Sequence, residues 1–264
     1  MKRITIGSEE IKKVDQDKFL QTKVDDYNNS VGNLKDYDCP LCKNKGYTMH
    51  IVENYDVLKP CQCKRVRESI KHIKNSGLEQ LLNEYTFENY VVEEEWQQKV
   101  KRLAQHYVHN NHGNWFFIGG QSGAGKSMIC TAIVKELLEQ GYESLYMKWR
   151  DDSLELKQNI VGDSEEYNSK ITKYKKVKVL YIDDFFKTEK GKFPTSADIM
   201  IAFEILNYRY MDQNLVTIIS TEKSVDEILE IDEAIGSRLY QRSKKYCIKL
   251  PSDKSKNYRM KGIY

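Results

Sequence analysis

No apolar run in this chain approaches 18 residues. Mean hydropathy is −0.68 and 31% of residues are charged, so no segment is expected to span a membrane. The stretch Met1 to Asp17 is polar and lacks the apolar core of a secretory leader. The expected location is therefore the cytoplasm, where cysteines stay reduced. A large excess of one charge is also missing. The formal net charge is only +3, which excludes a molecule acting as a polyelectrolyte over its whole surface. Proline numbers four, while lysine, asparagine, isoleucine and tyrosine are plentiful. That pattern fits AT-rich coding, so the 18 tyrosines are weak evidence for base stacking. One region departs from the balance. Between Arg242 and Lys261 stand eight Lys or Arg and one acid, Asp253, a cluster suited to nucleic-acid phosphates or to a solvated tail. At 264 residues the chain suits one to two domains with a proper core.

The most informative stretch is Gly119-Gly120-Gln121-Ser122-Gly123-Ala124-Gly125-Lys126-Ser127. An apolar run, Trp115 to Ile118, enters it, and a helical pattern of Ile129, Ala132, Ile133 and Leu137 leaves it. Strand, glycine-rich turn and helix form the context that a G-x-x-x-x-G-K-[ST] phosphate loop needs. Its backbone N–H groups curl inward around phosphates, and the helix N-terminus adds partial positive charge. The expected nucleotide-binding set is Gly120, Gln121, Ser122, Gly123, Ala124, Gly125, Lys126, Ser127 and Met128. Lys126 would reach the β- and γ-phosphates of ATP, and Ser127 would ligate Mg²⁺. About 55 residues on, the apolar strand Val177 to Ile182 ends in Asp183-Asp184. Asp183 would hold the Mg²⁺ water shell and Asp184 would orient or deprotonate the attacking water.

Upstream, Cys39-Pro40-Leu41-Cys42 and Cys61-Gln62-Cys63 resemble the paired knuckles of a zinc site. Four thiolates fill a tetrahedral Zn²⁺, so such a site would be structural. A disulfide pair and unrelated free thiols are the competing readings; spacing and a reducing compartment favour zinc. Between the pairs, Tyr47 to Val52 alternates as a strand. Cys130 and Cys247 read as ordinary core residues.

Elsewhere the elements follow local signals. Phe19, Leu20 and Val24 are the best helical candidates near the N-terminus. A helical pattern runs from Lys64 to Gly77 and a short second one from Leu78, with a domain boundary near Glu84. Trp96, Val100, Leu103, Ala104 and Tyr107 form one amphipathic helix face. Gly141 closes the helix after the phosphate loop. Ser144 to Trp149 reads as a strand and Asp151 to Ile160 as a helix. The basic run Lys170 to Lys176 reads as a DNA-facing edge or a solvated helix end, the latter preferred. Ser196 is expected to cap a helix through Met211. The strand Leu215 to Ile219 leads to Ser220-Thr221-Glu222, then a capping box of Ser224 and Glu227. Alternating strands and helices imply a parallel sheet, with its site at the strands' carboxyl ends. Lys126, Asp183, Asp184 and Thr221 all fall there.

Taken together, the ordered motifs resemble the AAA+ helicase loaders of the DnaC/DnaI type, especially those of low-GC bacteria and their phages. The likeness covers nearly the whole chain. It includes the cysteine pairs, Thr86-Phe87-Glu88-Asn89-Tyr90, the phosphate loop, Ile182 to Lys187, Phe203 to Tyr210, Ile219 to Glu222, Gly236-Ser237-Arg238-Leu239 and Asn257-Tyr258-Arg259. It implies an α/β P-loop NTPase with an AAA+, RecA-like core: a parallel five-stranded sheet between helices, with no full helical lid. A small zinc-binding α+β domain precedes it, giving residues 1–84 and 85–264. The N-terminal domain would grip the hexameric DnaB-family replicative helicase, and the C-terminal ATPase would bind ATP, Mg²⁺ and single-stranded DNA and self-associate.

In that frame Arg238 matches an arginine finger completing a neighbour's site. Thr221 and Glu222 stand where the sensor Asn is usual, and either would contact the γ-phosphate water. Arg209 is a candidate interfacial residue, and Arg259 a candidate second phosphate sensor or DNA contact. Asp184 stands where many AAA+ enzymes have Glu, which implies weak turnover, stimulated by assembly on single-stranded DNA. Transposition regulators of the IstB type share this ATPase core but generally lack the zinc region. A small-molecule kinase would need a lid, and a non-catalytic adaptor would use ATP only to set conformation.

Overall fold

The computed structural model describes residues 8–73, 79–162, 164–189, 191–250, 253, 257 and 258. The chain divides into two compact units, Met1–Glu68 and Ser69–Tyr264. The boundary expected near Glu84 falls later, at the end of a short helix.

In the first unit, α1 (Ser8–Asn29) lies against a hairpin of β1 (Tyr47–Val52) and β2 (Tyr55–Pro60). Among the described residues, Leu20, Val24, Met49 and Val66 are buried there besides the cysteines, and Phe19 is exposed. Asn28 fastens helix to strand: its Nδ2 donates to Met49 O at 2.8 Å, and its Oδ1 accepts from Met49 N at 2.9 Å. The hairpin turn is Glu53-Asn54, both left-handed at φ 50° and 64°. Two left-handed central residues match the strands' right-handed twist. The helix α2 (Cys63–Ile73) begins at the last cysteine.

In the second unit, α3 (Glu79–Glu84) and α4 (Glu95–Asn110) precede β3 (Phe116–Gly120) and α5 (Lys126–Glu139). Then come β4 (Ser144–Lys148), α6 (Trp149–Gly162), α7 (Ser164–Lys176), β5 (Val179–Asp183) and α8 (Ser196–Met211). The described elements end with β6 (Val216–Thr221), α9 (Val225–Ile231), α10 (Glu233–Ser243) and β7 (Cys247–Leu250). The five strands β3 to β7 form one parallel sheet in the order β4-β5-β6-β3-β7, the predicted architecture. After β6 the described elements are α9, α10 and β7.

Buried Trp115, Phe117, Met147, Trp149, Leu180, Ile182, Phe185, Phe186, Ile205 and Leu239 belong to the main core. Trp149 opens α6 rather than closing β4; its ring meets Phe185 and Phe186 edge-on at 4.9 and 5.4 Å. The cap of α8 is Thr195, one residue before the expected Ser196. Thr195 Oγ1 accepts from Asp198 N at 3.3 Å, and Asp198 Oδ2 accepts from Thr195 N at 3.0 Å. The predicted box at α9 is present: Ser224 Oγ accepts from Glu227 N at 3.2 Å and Glu227 Oε2 accepts from Ser224 N at 2.7 Å.

Two arginines have structural duties that the sequence reading did not foresee. Arg209, expected at an interface, is fully buried. It donates to Tyr174 O, Lys175 O, Val177 O and Val216 O at 3.0, 3.1, 2.8 and 2.6 Å and to Thr217 Oγ1 at 2.9 Å. It thereby caps the carbonyl end of α7 and ties it to β6. Arg242, counted in the basic C-terminal run, is buried and donates to Gly113 O and Tyr210 O at 2.7 and 2.6 Å. In the run Lys170 to Lys176, Lys173 and Lys176 are exposed, while Lys170 and Lys175 are paired within the unit. Lys170 pairs with Asp152 at 3.4 Å and with Glu155, and Lys175 with Glu204 at 2.6 Å, while Ile171 and Tyr174 are buried. It forms a helix end, as preferred. Arg259 lies outside the described residues.

Candidate nucleotide and zinc sites

The phosphate loop lies between β3 and α5. Gly123 and Gly125 both adopt left-handed backbones, φ 78° and 77°, which side-chain-bearing residues disfavour. A Cβ on Gly123 would also stand 2.1 Å from Asn257 Oδ1. The loop curls over the N-terminus of α5, where helix dipole and free N–H groups favour an anion. Ser122, Gly123, Gly125, Lys126, Ser127 and Met128 line a cavity of about 250 Å³ together with Tyr85, Asn89, Tyr90, Val91, Asp184, Lys187 and Tyr258. Lys126 is buried, and burial lowers its pKa against the pull of Glu222, Asp184 and Asp183. Its Nζ donates to Gly120 O and Gln121 O at 2.8 and 2.7 Å. Ala124 is buried beneath the loop.

The end of β5 brings the first carboxylate to the same point. Asp183 Oδ1 accepts from Ser127 Oγ at 3.0 Å, Tyr181 Oη at 2.8 Å, the Asp184 N–H at 3.1 Å and, closely, Ser220 Oγ. Its Oδ2 accepts from Tyr146 Oη at 3.1 Å. Burial, with the Asp183 charge beside them, raises the pKa of both tyrosines, so they stay neutral donors. A hydroxyl and a carboxylate oxygen 3.0 Å apart at a phosphate loop are the donor set that Mg²⁺ takes alongside nucleotide phosphates. The residues fit Mg²⁺ and ATP.

Sequence reasoning missed Tyr146, Tyr181 and Ser220 because each comes from a different strand. It also missed the pocket's wall. Gln97 is buried in α4; its Oε1 accepts from Glu93 N and Glu94 N at 2.6 Å, and its Nε2 donates to Tyr258 Oη. Tyr258 N donates to Gly123 O at 2.9 Å, and the Gln121 side chain donates to and accepts from the Asp253 backbone at 2.5 and 2.7 Å.

Two expected residues sit differently. Thr221 is buried. Its hydroxyl donates to Phe185 O at 2.7 Å and accepts from Lys223 N at 3.1 Å, which corrects the expectation of a γ-phosphate contact. Arg238 lies on α10, against the rings of Phe203 and Tyr210 at 5.4 and 5.6 Å, with Nη1 donating to Ala234 O at 2.8 Å. It does not line the cavity around Lys126.

In the first unit, Cys39, Cys42, Cys61 and Cys63 are all buried, their sulfurs within 4.8 Å of one another. Cys39 and Cys61 are 3.7 Å apart, Cys42 and Cys63 3.5 Å. Four sulfurs each about 2.3 Å from a central zinc stand about 3.8 Å apart, so the donor set fits tetrahedral Zn²⁺. All four are free thiols rather than disulfides. Burial pushes the Cys63 thiol up to about 12, against the nearby Arg67. At Cys42 burial is outweighed by the Gly46 N–H, which donates to its sulfur at 3.2 Å, and by the other thiols, so its pKa falls. Cys130 is buried in α5, as expected of a core residue.

The family model described as IstB-like ATP binding protein matches residues 51–262. The chain belongs to this family. Among curated relatives, the chain is 25% identical over 276 residues to the uncharacterized protein YqaM of Bacillus subtilis (strain 168), covering 85% of this chain and 86% of that protein. It is 26% identical over 239 residues to the phage-like element PBSX protein XkdC of the same organism, covering 86% and 88%. It is 28% identical over 131 residues to the replicative helicase loader DnaC of Escherichia coli (strain K12), covering 49% of this chain and 54% of that protein. Among solved structures, DnaI superposes with a TM-score of 0.51 at 21% identity, covering 66% of this chain and 91% of that one. The DnaC helicase loader gives 0.52 at 19%, covering 64% and 96%. The IstB-like fold is that of an AAA+ P-loop NTPase. Most of the second unit falls within the match to the IstB-like ATP binding protein family.

Proposed function

We propose that this protein is an ATP-dependent loader of a replicative DNA helicase. What carries the reading is the pairing of a four-cysteine unit with an IstB/DnaC-family ATP-binding domain, joined by the similarity to a protein named as a replicative helicase loader. The zinc unit grips a hexameric DnaB-family helicase, and the ATPase unit binds ATP with Mg²⁺ and single-stranded DNA. Lys126 and Ser127 hold the phosphates and Mg²⁺, Asp183 orients the metal's water shell, and Asp184 positions the attacking water. Bound Mg²⁺ supplies charge neutralisation of the β- and γ-phosphates. Arg238 acts in trans, completing the site of a neighbouring copy. ATP therefore joins protomers along the strand, and hydrolysis releases them. Turnover by an isolated protomer is weak, because the finger is absent and Asp184 is one methylene shorter than the common glutamate.

A second reading keeps the ATPase and changes the client to a transposition system, supported by the match to the IstB-like family. The deciding experiment is capture of the purified host helicase by this protein with ATP, with ADP and without nucleotide. Stoichiometric, nucleotide-sensitive capture is expected. Failure in every state, with ATP binding intact, would hand the case to the transposition or adaptor reading.

A further inference from the structure

The phosphate loop's lysine shares its cavity with a second cation. Lys187 lines the same pocket as Lys126, Ser127 and Asp184. Its Nζ stands 2.8 Å from Asp184 Oδ2 and 3.2 Å from Glu222 Oε1. These acids follow the carboxyl ends of β5 and β6, so one ammonium joins the two adjacent strands where a γ-phosphate would lie. Burial alone would lower the Lys187 pKa, but the two carboxylates hold it above its ordinary value.

The backbone that delivers this lysine is shaped for the purpose. Asp184 and Phe186, neither of them glycine, hold left-handed conformations at φ 54° and 55°. Such residues are strained, persist only where surrounding structure fixes them, and gather at functional sites. What fixes them here is explicit. Phe185 N donates to Ser220 O at 2.9 Å, and Thr221 Oγ1 donates to Phe185 O at 2.7 Å. The buried rings of Phe185 and Phe186 stack at 4.1 Å, and Lys187 N donates to Asp184 O at 2.9 Å. Thr221 thus spends its hydroxyl on holding the loop, and the only side chain of the Asp183–Lys187 loop carrying a positive charge is the lysine.

We propose that Lys187 is a positioning residue that clamps Asp184 to Glu222 and transfers one N–H to the γ-phosphate when a triphosphate binds. The transfer releases the Asp184 carboxylate to orient water. The proposal rests on the ATP-binding reading above. An ammonium has three donors, so it can exchange one carboxylate for a phosphate oxygen and keep the other. ADP lacks the third phosphate and leaves the clamp closed. The site then distinguishes ATP from ADP without the Asn that usually follows the sensor strand.

The test is calorimetric titration of the full chain with Mg²⁺ and either the β,γ-methylene analogue of ATP or ADP. Lys187→Met should weaken the analogue about tenfold while ADP stays within about twofold, the loss of one charge-assisted hydrogen bond. Lys187→Arg should restore most of the difference. Glu222→Gln, which frees Lys187 from one acid, should tighten the analogue and leave ADP unchanged; this variant keeps the test alive if Lys187→Met misfolds. Equal losses for both nucleotides, or an unmoved ratio in both variants, would overturn the clamp while leaving nucleotide binding standing. A wild-type protein that binds neither nucleotide would overturn the ATP-binding reading itself.

Discussion

The two units of this protein are held together by different physics. The second buries aromatic and aliphatic side chains on a five-stranded parallel sheet, and apolar burial of that kind contributes about 25 cal/mol per Å² whatever ions are present. The first buries four cysteines and few other apolar residues, among them Leu20, Val24, Met49 and Val66. Its hairpin leaves Tyr55 and Leu58 exposed. Units with so little core usually need a metal or disulfides, and this one has four free thiols at zinc spacing. One chain therefore contains a unit set by apolar packing and another whose buried centre is a cluster of four thiols with the spacing that zinc takes.

The largest effect that would break this contrast comes from removing the metal. A chelator, or Cys42→Ser, should unfold the first unit, since structural zinc contributes about 10–16 kcal/mol of apparent folding energy near neutral pH. Nucleotide binding by the second unit should persist. Circular dichroism with zinc analysis and nucleotide titration would measure both; simultaneous loss would erase the distinction. Lowering the pH should act likewise on the first unit, because zinc needs thiolates and protons compete for them.

Next in size is Arg209→Met in the second unit. It leaves several buried carbonyls unpaired at about 1–3 kcal/mol each. Denaturant titration should show a loss of at least about 3 kcal/mol, with zinc content unchanged. A change below about 1 kcal/mol would mean that those carbonyls find other donors.

The smallest effect separates electrostatics from packing within the second unit. Burial works to raise the Asp198 pKa, but hydrogen bonds from Lys157, at 2.8 Å, and from Thr195 hold it below the ordinary value. A folded pKa below the unfolded one makes this carboxylate stabilising above the unfolded value, about 3.9. The contribution is lost as pH falls through the folded value. Asp198→Asn should cost about 1 kcal/mol at neutral pH, a capping-sized loss, and the difference from wild type should vanish in acid. A difference constant with pH would assign the cost to packing.

What could be read in the sequence was local. The phosphate loop, the strand ending in Asp183-Asp184 and the Ser224/Glu227 box each carry their signal within a few residues. The cysteine pairs could be read because metal spacing is itself a local pattern. The strand β2 escaped because its residues are largely exposed and its turn, Glu53-Asn54, contains no glycine. The cap of α8 stands at Thr195, one residue from Ser196, because either hydroxyl can cap and only the reciprocal bond from Asp198 decides. Arg209 could not be placed because its acceptors lie on α7 and β6, and a sequence does not say which carbonyls meet. Thr221 stands where a polar contact to phosphate is expected, but the twist of the Asp183–Lys187 loop directs its hydroxyl to Phe185 O. The Gln97–Tyr258 contact spans most of the chain and has no local trace.

The sheet order also has a consequence for how the protein is made. The strand entering the phosphate loop, β3, pairs only with β6 and β7, both of which leave the ribosome much later. Until they arrive, Phe116, Phe117 and Ile118, buried in the finished molecule, lack their strand partners, though the Tyr107 ring of α4 already stands 5.3 Å from that of Phe116. Pairings so distant in sequence form slowly, and open strand edges meanwhile invite association. The four cysteines of the first unit are all made early in synthesis, within Cys39–Cys63. The phosphate loop gains its flanking strands among the last steps. During translation the nascent chain thus carries a complete four-cysteine unit joined to an unfinished ATP-binding domain, and that interval is when a chaperone has most to shield.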